Sequence, residues 1–530
     1  TFKQGPRVLI SLGDQDIDFS PSFQMFMCTR DSTAQFTPDL CSRVTFVNFT
    51  VTPSSLQSQC MNALLKSERP DVDKMRADML KLQGEFKVKI RELEDGLLQA
   101  LSNVQGSILE DVKVIATLER IKKEASEIQE QVAKTDETMR EIEQTSMLYE
   151  REGGNIAASL FFLLESMGTI HNFYRYSLAF FFQLFSESIK GNEELEQEKD
   201  YEKRLQIIVR LLFRNAFHKI APGLQESDVL VYALRLAQIM AEQQEPLGKD
   251  ELDLLLKGAA TDVLKSSSAN LAEQCRDVLK SKLNQQQLKA LQDLHLLPCF
   301  HGLVGHMMSN EGKWQAFLDH VDPESFIPEG WRAEGETSQS NRIVQEALII
   351  KALRPDRLIF VCQRLVENIL GQGFLELPAF NLKDVVEKDS KASSPIMMVS
   401  VPGFDPSGKV TELAQSQGKA LTSAAMGSEE GFSIADKAII AASKSGTWVL
   451  LKNVHLAIKW LIELEKKLYG MNPSQNFRLF LTLEFNPRIP ANLIRLSRVY
   501  VFEPPSGVKA SLQRSFTQVL SGDRTDRQPV

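Results

Sequence analysis

The hydrophobic pattern is most regular in residues 61–150, where it predicts two long helices joined by a short turn. In the second helix, apolar residues recur at alternating spacings of four and three, which is the heptad pattern of a coiled coil. Charged and amide side chains fill most positions between them. The apolar seam of this helix consists of Val114, Leu118, Ile121, Ala125, Ile128, Val132, Thr135, Met139, Ile142, Ser146 and Tyr149.

The first helix carries a different repeat. After Leu82 the apolar spacing is four, four and three, an eleven-residue repeat that gives a nearly straight or slightly right-handed coil. Its seam consists of Met75, Met79, Leu82, Phe86, Ile90, Leu93, Leu97, Leu101 and Val104. Gly106 lies between the helices, where the chain must reverse. Two narrow seams surrounded by charge predict an antiparallel coiled-coil hairpin that projects from a globular body.

Strand patterns precede the hairpin, in residues 1–60. Arg7–Leu12 and Gln24–Thr29 predict buried strands, and Val44–Val51 alternates as a half-buried strand does. A short helical turn that begins near Pro38 separates the last two. So few strands do not form an independent core, and we therefore expect residues 1–60 to be part of a larger domain.

Helical patterns follow the hairpin, and an α/β pattern follows those. Residues 151–320 predict a helical domain, and residues 321–340, with several prolines and glycines, predict a linker. Residues 341–520 begin with two helices and continue as an α/β domain. Its predicted strands are Pro395–Val401, Thr447–Leu451, Arg478–Leu483 and Val499–Phe502.

An internal repeat relates the two ends of the chain. In each copy an apolar strand leads through a proline-containing helical turn to an arginine directly before another strand. These arginines are Arg43 and Arg498. Because the copies lie so far apart, the repeat is one of whole modules rather than a solenoid period. We therefore expect the end of one module and most of a second.

A phosphate-binding pattern follows the predicted strand Pro395–Val401. Gly403, Gly408 and Lys409 fit GxxxxGK, in which backbone N–H groups cradle phosphates and the lysine reaches their oxygens. Val410 stands where serine or threonine would hold Mg²⁺, and valine cannot bind a metal. The loop is therefore predicted to be degenerate.

The strand Thr447–Leu451 should lead into a carboxylate that completes the Mg²⁺ and water site. Lys452 and Asn453 stand there instead, and neither can act as a base for hydrolysis. We predict a vestigial loop that binds nothing, with a structural nucleotide as the alternative and no catalysis.

Arg43 and Arg498 are the other candidate site residues. An arginine at the end of a short helix on a module's surface can reach a nucleotide held by the neighbouring subunit and stabilise transition-state charge. The alternative is that each arginine pairs with a carboxylate of its own domain. The acidic residues Asp14, Asp16 and Asp18 lack the glycine and distal glutamate of a calcium loop, so we expect a solvated turn there.

Composition narrows the class of protein. The 530 residues allow two or three domains, and 43% apolar with 25% charged residues is typical of a soluble globular protein. A net charge of −8 gives no general reason to expect nucleic acid or an anionic membrane as a partner. The six cysteines and seven histidines show no metal-binding spacing, so we expect reduced thiols in the cytosol. Because Thr1 is not an initiator methionine, the chain is expected to be a piece of a larger one.

Taken together, these features resemble the motor ring of dynein heavy chains. The amino-acid sequence of the matching stretches is nearer to cytoplasmic than to axonemal heavy chains. The resemblance extends to about Phe516, whereas residues 521–530 diverge from the family. The stretches that carry it are Leu12–Phe23, Pro38–Phe49, Ser54–Cys60, Gly427–Phe432, Leu451–Leu456 and Val501–Lys509.

The resemblance implies an α/β plus helical fold: AAA+ P-loop-type large domains, a helical small domain and the coiled-coil hairpin. Residues 1–60 would end the fifth AAA+ large domain. Residues 61–150 would be the buttress, or strut, that braces the microtubule-binding stalk. Residues 151–320 would be the fifth module's small domain, and residues 341–520 the sixth large domain.

The resemblance also implies a function. Arg43 would face the nucleotide site of the fourth module and Arg498 that of the fifth, which is usually inert. The chain would couple ATP-driven ring rearrangement to the stalk of a minus-end-directed microtubule motor without hydrolysing ATP itself. It would bind no cofactor productively, while ATP and Mg²⁺ act at other modules. Its partners would be the rest of the heavy chain, intermediate and light chains and microtubules, in the cytoplasm, with neither nucleic acid nor membrane.

Two other classes of protein remain for comparison. A structural-maintenance type ATPase also joins nucleotide-domain halves by a coiled coil, but it needs an LSGG-like signature and a hinge or zinc hook at the tip. Residues 103–111 carry neither. An independent P-loop enzyme at residues 341–505 would lack the acidic residues that hydrolysis requires.

Overall fold

The structure is a computed structural model that divides into two compact units, residues 1–52 and 53–530. Among the described residues, no helix combines the length and apolar character that crossing a bilayer requires. The described residues are 2–4, 7–12, 15–20, 22–29, 35–102, 112–190, 195, 198, 200–244, 247–258, 283–331, 338–376, 380–402, 404–503, 508, 509, 512 and 516.

The first unit contains a three-stranded antiparallel sheet in the order β1-β2-β3, formed by Phe2–Gln4, Arg7–Leu12 and Gln15–Asp18. The predicted strand at Arg7–Leu12 is β2. The prediction of a solvated turn was wrong for Asp16 and Asp18, which lie on β3. Their segment forms a strand because pairing with β2 gives its backbone groups hydrogen-bond partners. Asp14 lies outside the described residues.

The other two strands predicted in this unit, Gln24–Thr29 and Val44–Val51, were wrong. Both segments lack strand pairing in the described structure, and most of their apolar side chains are exposed, Phe49 by 90%. An apolar run forms a strand only where a neighbouring strand accepts its backbone hydrogen bonds, and the described part of this unit offers neither segment one. The short helix predicted between them is present as α1, Pro38–Arg43.

The second unit begins with three helices: α2 (Pro53–Glu68), α3 (Pro70–Ser102) and α4 (Val112–Tyr149). Helices α3 and α4 contact each other, and the Gln83 side-chain amide donates a hydrogen bond of 2.9 Å to Asp136 Oδ1. The predicted reversal at residues 103–111, which includes Gly106, lies outside the described residues. Two long, paired helices are thus present where the heptad and eleven-residue repeats predict them.

Only part of the predicted seam is buried. Phe86 on α3 and the residues Thr135, Met139, Ile142 and Tyr149 on α4 are buried. Met75 and Ile90, which the pattern also assigned to the seam, are exposed. Two helices without a third layer cover few positions fully, so several seam residues whose side chains the structure describes, such as Leu82, Leu93 and Ile128, remain partly exposed.

Helix α4 continues through a π-helical turn, Glu150–Gly154, into α5 (Asn155–Met167). The following helices are α6 (Leu178–Ile189), α7 (Tyr201–Ile220), α8 (Glu226–Gln244), α9 (Lys249–Lys257), α10 (Gln285–His295), α11 (Leu303–Ser309), α12 (Glu311–Asp319), α13 (Gln339–Leu353) and α14 (Leu358–Leu370).

One hydrophobic core crosses the predicted linker at residues 321–340. It contains Leu255 of α9, Trp314 of α12, Leu348 of α13 and Leu365 of α14. Helices α13 and α14, which the sequence assigned to residues 341–520, therefore pack with helices of residues 151–320. The reason is that α13 is apolar on nearly all sides and needs neighbours on more than one face.

A five-stranded parallel sheet follows, in the order β5-β6-β7-β4-β8. The strands are β4 (Ile396–Ser400), β5 (Leu421–Ala425), β6 (Trp448–Lys452), β7 (Arg478–Glu484) and β8 (Arg498–Phe502). The helices between them are α15 (Ser407–Ser416), α16 (Glu429–Ser445), α17 (Ile458–Gly470) and α18 (Ala491–Leu496).

Four of these strands lie where the sequence predicts them, and β5 was missed. Strand β5 is at the edge of the sheet and exposes Thr422 and Ser423, so it lacks the apolar run that marks a buried strand. The predicted tail, residues 521–530, lies outside the described residues.

Candidate functional site

The candidate site lies at the carboxyl ends of the parallel strands, where ligands bind in open α/β sheets. Strand β4 ends at Ser400, and a short loop leads to the first residue of α15, Ser407. Gly403, the first glycine of the phosphate-binding pattern, lies outside the described residues. Gly408 and Lys409 are in the first turn of α15, as the pattern requires.

A carboxylate of the chain itself occupies the N-terminus of α15. The Ser407 backbone N–H donates to Asp405 Oδ1 at 2.9 Å, and the Ser407 hydroxyl donates to Asp405 Oδ2 at 2.7 Å. A helix N-terminus attracts anions because its first N–H groups lack intrahelical partners. Asp405 therefore takes a position that a bound phosphate would compete for.

The Lys409 ammonium group rests on aromatic rings. Its Nζ lies 4.7 Å from the ring centroid of Phe502, at the end of β8, and 5.8 Å from that of Phe380. An ammonium group over a ring face is attracted by the ring's quadrupole. Its neighbour Gly408 has open space around it, since an added Cβ would meet no described atom within 4 Å.

Val410, at the position of the Mg²⁺ ligand, is fully buried. It belongs to a core cluster with Ile396, Leu450 and Phe480 of the sheet. This position therefore contributes packing and has no oxygen that could bind a metal. In the part of the chain that the structure describes, no group of three or more His, Cys, Asp or Glu residues could hold a metal ion. Val410 thus does not fit the place of the Mg²⁺ ligand in an ATP–Mg²⁺ complex at this loop.

The ends of β6 and β7 are tied to each other by hydrogen bonds. The Asn453 N–H donates to the Thr482 hydroxyl at 3.3 Å, and the Glu484 N–H donates to His455 Nδ1 at 3.1 Å. Asn453 has a positive φ of 57°, which asparagine tolerates better than most residues. The sequence pattern pointed to Asn453 but not to His455, Thr482 or Glu484, because nothing in the sequence shows that β7 lies beside β6.

Arg498 points into its own chain. Its Nη2 donates to Gln183 Oε1 at 3.1 Å, and its guanidinium carbon lies 3.9 Å from the ring centroid of Phe180. Both partners are on α6. Burial lowers the pKa of the Arg498 guanidinium from its ordinary value. The sequence left two alternatives for Arg498, an arginine finger and an ion pair in its own domain. In the structure, the Arg498 side chain instead contacts an aromatic ring and a side-chain amide.

Further polar contacts join the helices to the sheet domain near Arg498. Lys219 of α7 binds Glu187 of α6 and also Asp389, whose Oδ1 is 2.7 Å from its Nζ. Burial by itself would lower the pKa of Lys219, but the hydrogen bonds to Asp389 and Glu187 outweigh this effect and the pKa is raised. These charged residues look like ordinary surface positions in the sequence, so no signal marks them.

Arg43 differs from Arg498 in every respect of its surroundings. Its side chain is 75% exposed, and its Nη2 lies 3.1 Å from Asp39 Oδ1, one turn earlier in α1. An exposed pair of this kind contributes little to stability. Arg43 therefore has the own-domain ion pair that the sequence left open, while its exposure leaves it accessible to another module.

Two protein-family models match separate parts of the chain. The ATP-binding dynein motor region matches residues 1–128, and the dynein heavy chain region D6 P-loop domain matches residues 391–501. The second match contains all of β4–β7 and the degenerate loop. A parallel sheet with a loop of this type after β4 agrees with an AAA+ P-loop fold.

Similarity to curated heavy chains extends along the whole chain. Cytoplasmic dynein heavy chains of Paramecium tetraurelia and Dictyostelium discoideum are each 44% identical, over 544 and 536 residues, and cover 100% of this chain. A flagellar inner-arm heavy chain, dynein-1-beta of Chlamydomonas reinhardtii, is 31% identical over 529 residues and 98% of this chain. The chain spans 11–12% of the length of these relatives. By this similarity, the chain belongs with the dynein heavy chains and corresponds to a stretch of their motor region.

Proposed function

We propose that this chain is a mechanical part of the AAA+ ring of a minus-end-directed microtubule motor. It couples ATP-driven rearrangement of the ring to the microtubule-binding stalk and does not itself hydrolyse ATP. Its similarity, along its own whole length, to a stretch of cytoplasmic dynein heavy chains supports this role. The proposal includes a cytoplasmic, microtubule-associated location. Its partners are the remainder of the heavy chain, the intermediate and light chains, and microtubules.

The main support for the non-hydrolysing role is the structure of the degenerate phosphate loop. Asp405 already accepts two hydrogen bonds from Ser407 at the helix N-terminus, so a phosphate would have to displace a carboxylate. Val410 is packed in the core where a Mg²⁺ ligand would stand. Transfer of a phosphoryl group depends almost entirely on such positioning and charge stabilisation. ATP and Mg²⁺ would therefore act at other modules of the ring.

The module boundaries form part of the proposal. Residues 1–60 would end the fifth large domain, residues 61–150 would be the buttress, and residues 151–320 the fifth small domain. Residues 341–520 would be the sixth large domain, with α13 and α14 shared with the preceding helices.

The paired helices α3 and α4 would carry the mechanical signal. At about 1.5 Å per residue, α3 alone extends roughly 50 Å, so a small change at its base moves its far end appreciably. The buried residues described on α4, from Thr135 to Tyr149, lie in its half nearer that base, where α2 and α5 also contact the pair or its π-helical continuation. A long element fixed at one end suits a role in coupling distant sites.

The first test is an assay of phosphate release by the purified chain. We expect no steady-state ATP turnover, because the loop lacks a Mg²⁺ ligand and a catalytic carboxylate. Asp405→Ala frees the helix N-terminus but leaves Val410 in place, so this variant should also be inactive. A turnover of about 1 s⁻¹ in the wild-type chain that disappears in Lys409→Ala would contradict the proposal.

The second test concerns the helix pair. Ile128 is half-buried on α4, whereas Ile90 on α3 is exposed, which gives a matched pair of isoleucine-to-alanine variants. We expect Ile128→Ala to lower the free energy of unfolding by about 1–2 kcal/mol, the low end for a truncated apolar side chain. Ile90→Ala should change it by less than about 0.5 kcal/mol.

In a complete motor, Ile128→Ala should leave basal ATPase nearly normal and weaken its stimulation by microtubules. The reason is that the nucleotide sites are built from other elements, while the helix pair transmits between them and the stalk. If basal and stimulated rates fall together, or if Ile90→Ala has the same effect, the helix pair is not the transmitting element.

A further inference from the structure

The base of α4 contains a local change of helix type. The backbone stays helical from Tyr149 (φ −67°, ψ −33°) through Gly154 (φ −63°, ψ −46°), so α4 runs into α5 without a break. Between them, Glu150–Gly154 form a π-helical turn. Such a turn holds one residue more than an α-helical turn and is often found at functional positions. Its conversion to α-helix would shift α4 along its axis relative to α5 by about 1.5 Å.

Helix α2 packs directly on this turn through two glycines. A Cβ on Gly154 would lie 2.9 Å from the carbonyl oxygen of Gln57, and one on Gly153 would lie 2.4 Å from Cδ1 of the buried Leu64. The close approach holds the turn against α2. On the turn itself, the two glycines carry no side chain, and the side chains that pack on Gly153 are those of Leu64 of α2 and Leu205 of α7.

An ion pair holds the point where α2 leads into α3, at the base of the helix pair. Glu68, the last residue of α2, is only 4% exposed, and both its oxygens accept from Arg204 of α7, at 2.5 Å from Nε and 3.1 Å from Nη2. The Arg204 Nη1 also donates to the carbonyl oxygen of Glu198 at 3.0 Å. Breaking such a pair by removing one partner leaves a buried charge uncompensated and is strongly destabilising.

The hydroxyl of Tyr149, the last residue of α4, is buried beside this ion pair. Tyr149 is 2% exposed, and its hydroxyl has no hydrogen-bond partner among the described residues. Helix α2, which ends at Glu68, contacts both α4 and the π-helical turn. Burial and then the charge of Glu68 raise the pKa of Tyr149, while the charges of Arg69 and Arg204 lower it. An unsatisfied buried hydroxyl costs stability and calls for an explanation.

We propose that Tyr149, Glu68 and Arg204 form a two-position joint between the hairpin and the helical domain. In the observed position, Arg204 binds both oxygens of Glu68 and the Tyr149 hydroxyl is unpaired. In the second position, the π-helical turn Glu150–Gly154 changes, α4 shifts, and the Tyr149 hydroxyl donates to Glu68. The two positions differ by the exchange of one hydrogen bond at a site that anchors α2, α4 and α7.

This inference deepens the proposed coupling function and rests on it only for its consequence in the motor. Coupling between distant sites requires an element with two discrete arrangements that each site can bias. The joint supplies such an element at the point where the long helices leave the helical domain. Tyr149, Glu68 and Arg204 are positioning residues and touch no nucleotide.

The experiment measures hydrogen exchange of the backbone amides of Glu150–Gly154 in the full chain. Tyr149→Phe removes only the hydroxyl and thus the bond of the second position. We expect exchange in the π-helical turn to slow by about threefold or more, because the second position becomes less populated. Tyr201→Phe, the same change at a half-exposed neighbouring tyrosine, should leave exchange unchanged.

Glu68→Gln is the second variant. It keeps the shape of Glu68 but removes the charge that holds Arg204, and we expect exchange at the end of α4 to accelerate about tenfold or more. Glu130→Gln, which breaks the exposed pair of Glu130 with Lys134, is its control and should have no such effect. If Glu68→Gln fails to fold, the Tyr149→Phe comparison decides alone.

Two outcomes would overturn the joint. Exchange that accelerates in Tyr149→Phe would mean that the hydroxyl stabilises the observed position. Exchange equal to that of Tyr201→Phe would mean that no second position uses it. In a complete motor, Tyr149→Phe should lower stimulation by microtubules at normal basal ATPase. Slower exchange with unchanged stimulation would support the joint and count against the proposed function, so the two failures are distinguishable.

Discussion

Replacing Arg498 by alanine is expected to lower the free energy of unfolding of residues 53–530 by about 2–4 kcal/mol. The variant loses a desolvated contact between the guanidinium and the Phe180 ring, at 3.9 Å, and a charged hydrogen bond to Gln183, at 3.1 Å. It also leaves the Gln183 carbonyl without this donor. Chemical denaturation followed by circular dichroism measures the change.

Two variants control this result. Arg498→Lys keeps the charge but loses the planar group that stacks on Phe180, so it should recover only part of the stability. Arg43→Ala removes the equivalent arginine of the internal repeat, which is exposed, and should change the stability of its unit very little. Equal, small effects of Arg498→Ala and Arg43→Ala would show that the contacts of Arg498 with α6 do not stabilise the fold.

Arg43→Ala is expected to have its effect on catalysis in the complete ring rather than on stability. If Arg43 acts on the nucleotide of the fourth module, its loss should reduce hydrolysis there by about a thousandfold, the lower range for an arginine finger. This expectation is based on the exposure of the Arg43 side chain at the end of α1, at the arginine-before-strand position of the repeat. The measurement is single-turnover hydrolysis in a motor whose other sites are inactivated.

The controls for Arg43 separate charge, shape and its local ion pair. Arg43→Lys retains a positive charge but cannot bind two oxygens in a fork, so it should restore hydrolysis only weakly. Asp39→Ala removes the carboxylate that pairs with Arg43 and should leave hydrolysis intact. Unchanged hydrolysis in a folded Arg43→Ala motor, or an equal loss in Asp39→Ala, would assign Arg43 a local structural role.

Sequence patterns predicted elements whose cause is local. The heptad and eleven-residue repeats predicted the long helices α3 and α4, because a long apolar stripe at helical spacing is typical of a long helix that packs along that stripe. Apolar runs predicted β4, β6, β7 and β8, which are buried in a parallel sheet. The missing side-chain oxygen at Val410 predicts a degenerate loop from chemistry alone, and the structure adds that this residue is packed in the core.

Predictions failed where a partner distant in sequence decides the outcome. Residues 24–29 and 44–51 have strand composition but no neighbouring strand among the described residues, so they remain unpaired. Strand β5 lacks strand composition but pairs with β6 along its length. Met75 and Ile90 fit the seam pattern but are exposed, because a two-helix pair leaves part of each stripe uncovered.

The sequence by itself determined the long helices α3 and α4 and the strands β4, β6, β7 and β8, because each depends on the pattern of neighbouring residues along the chain. It also predicts a degenerate phosphate loop and an equivalence of Arg43 with Arg498. Only the tertiary structure decided that α13 and α14 share a core with the preceding helices, and that Arg498 is turned onto α6. The physical reason is that burial and hydrogen-bond partners come from residues far apart in sequence. Two arginines in the same motif can therefore have opposite surroundings.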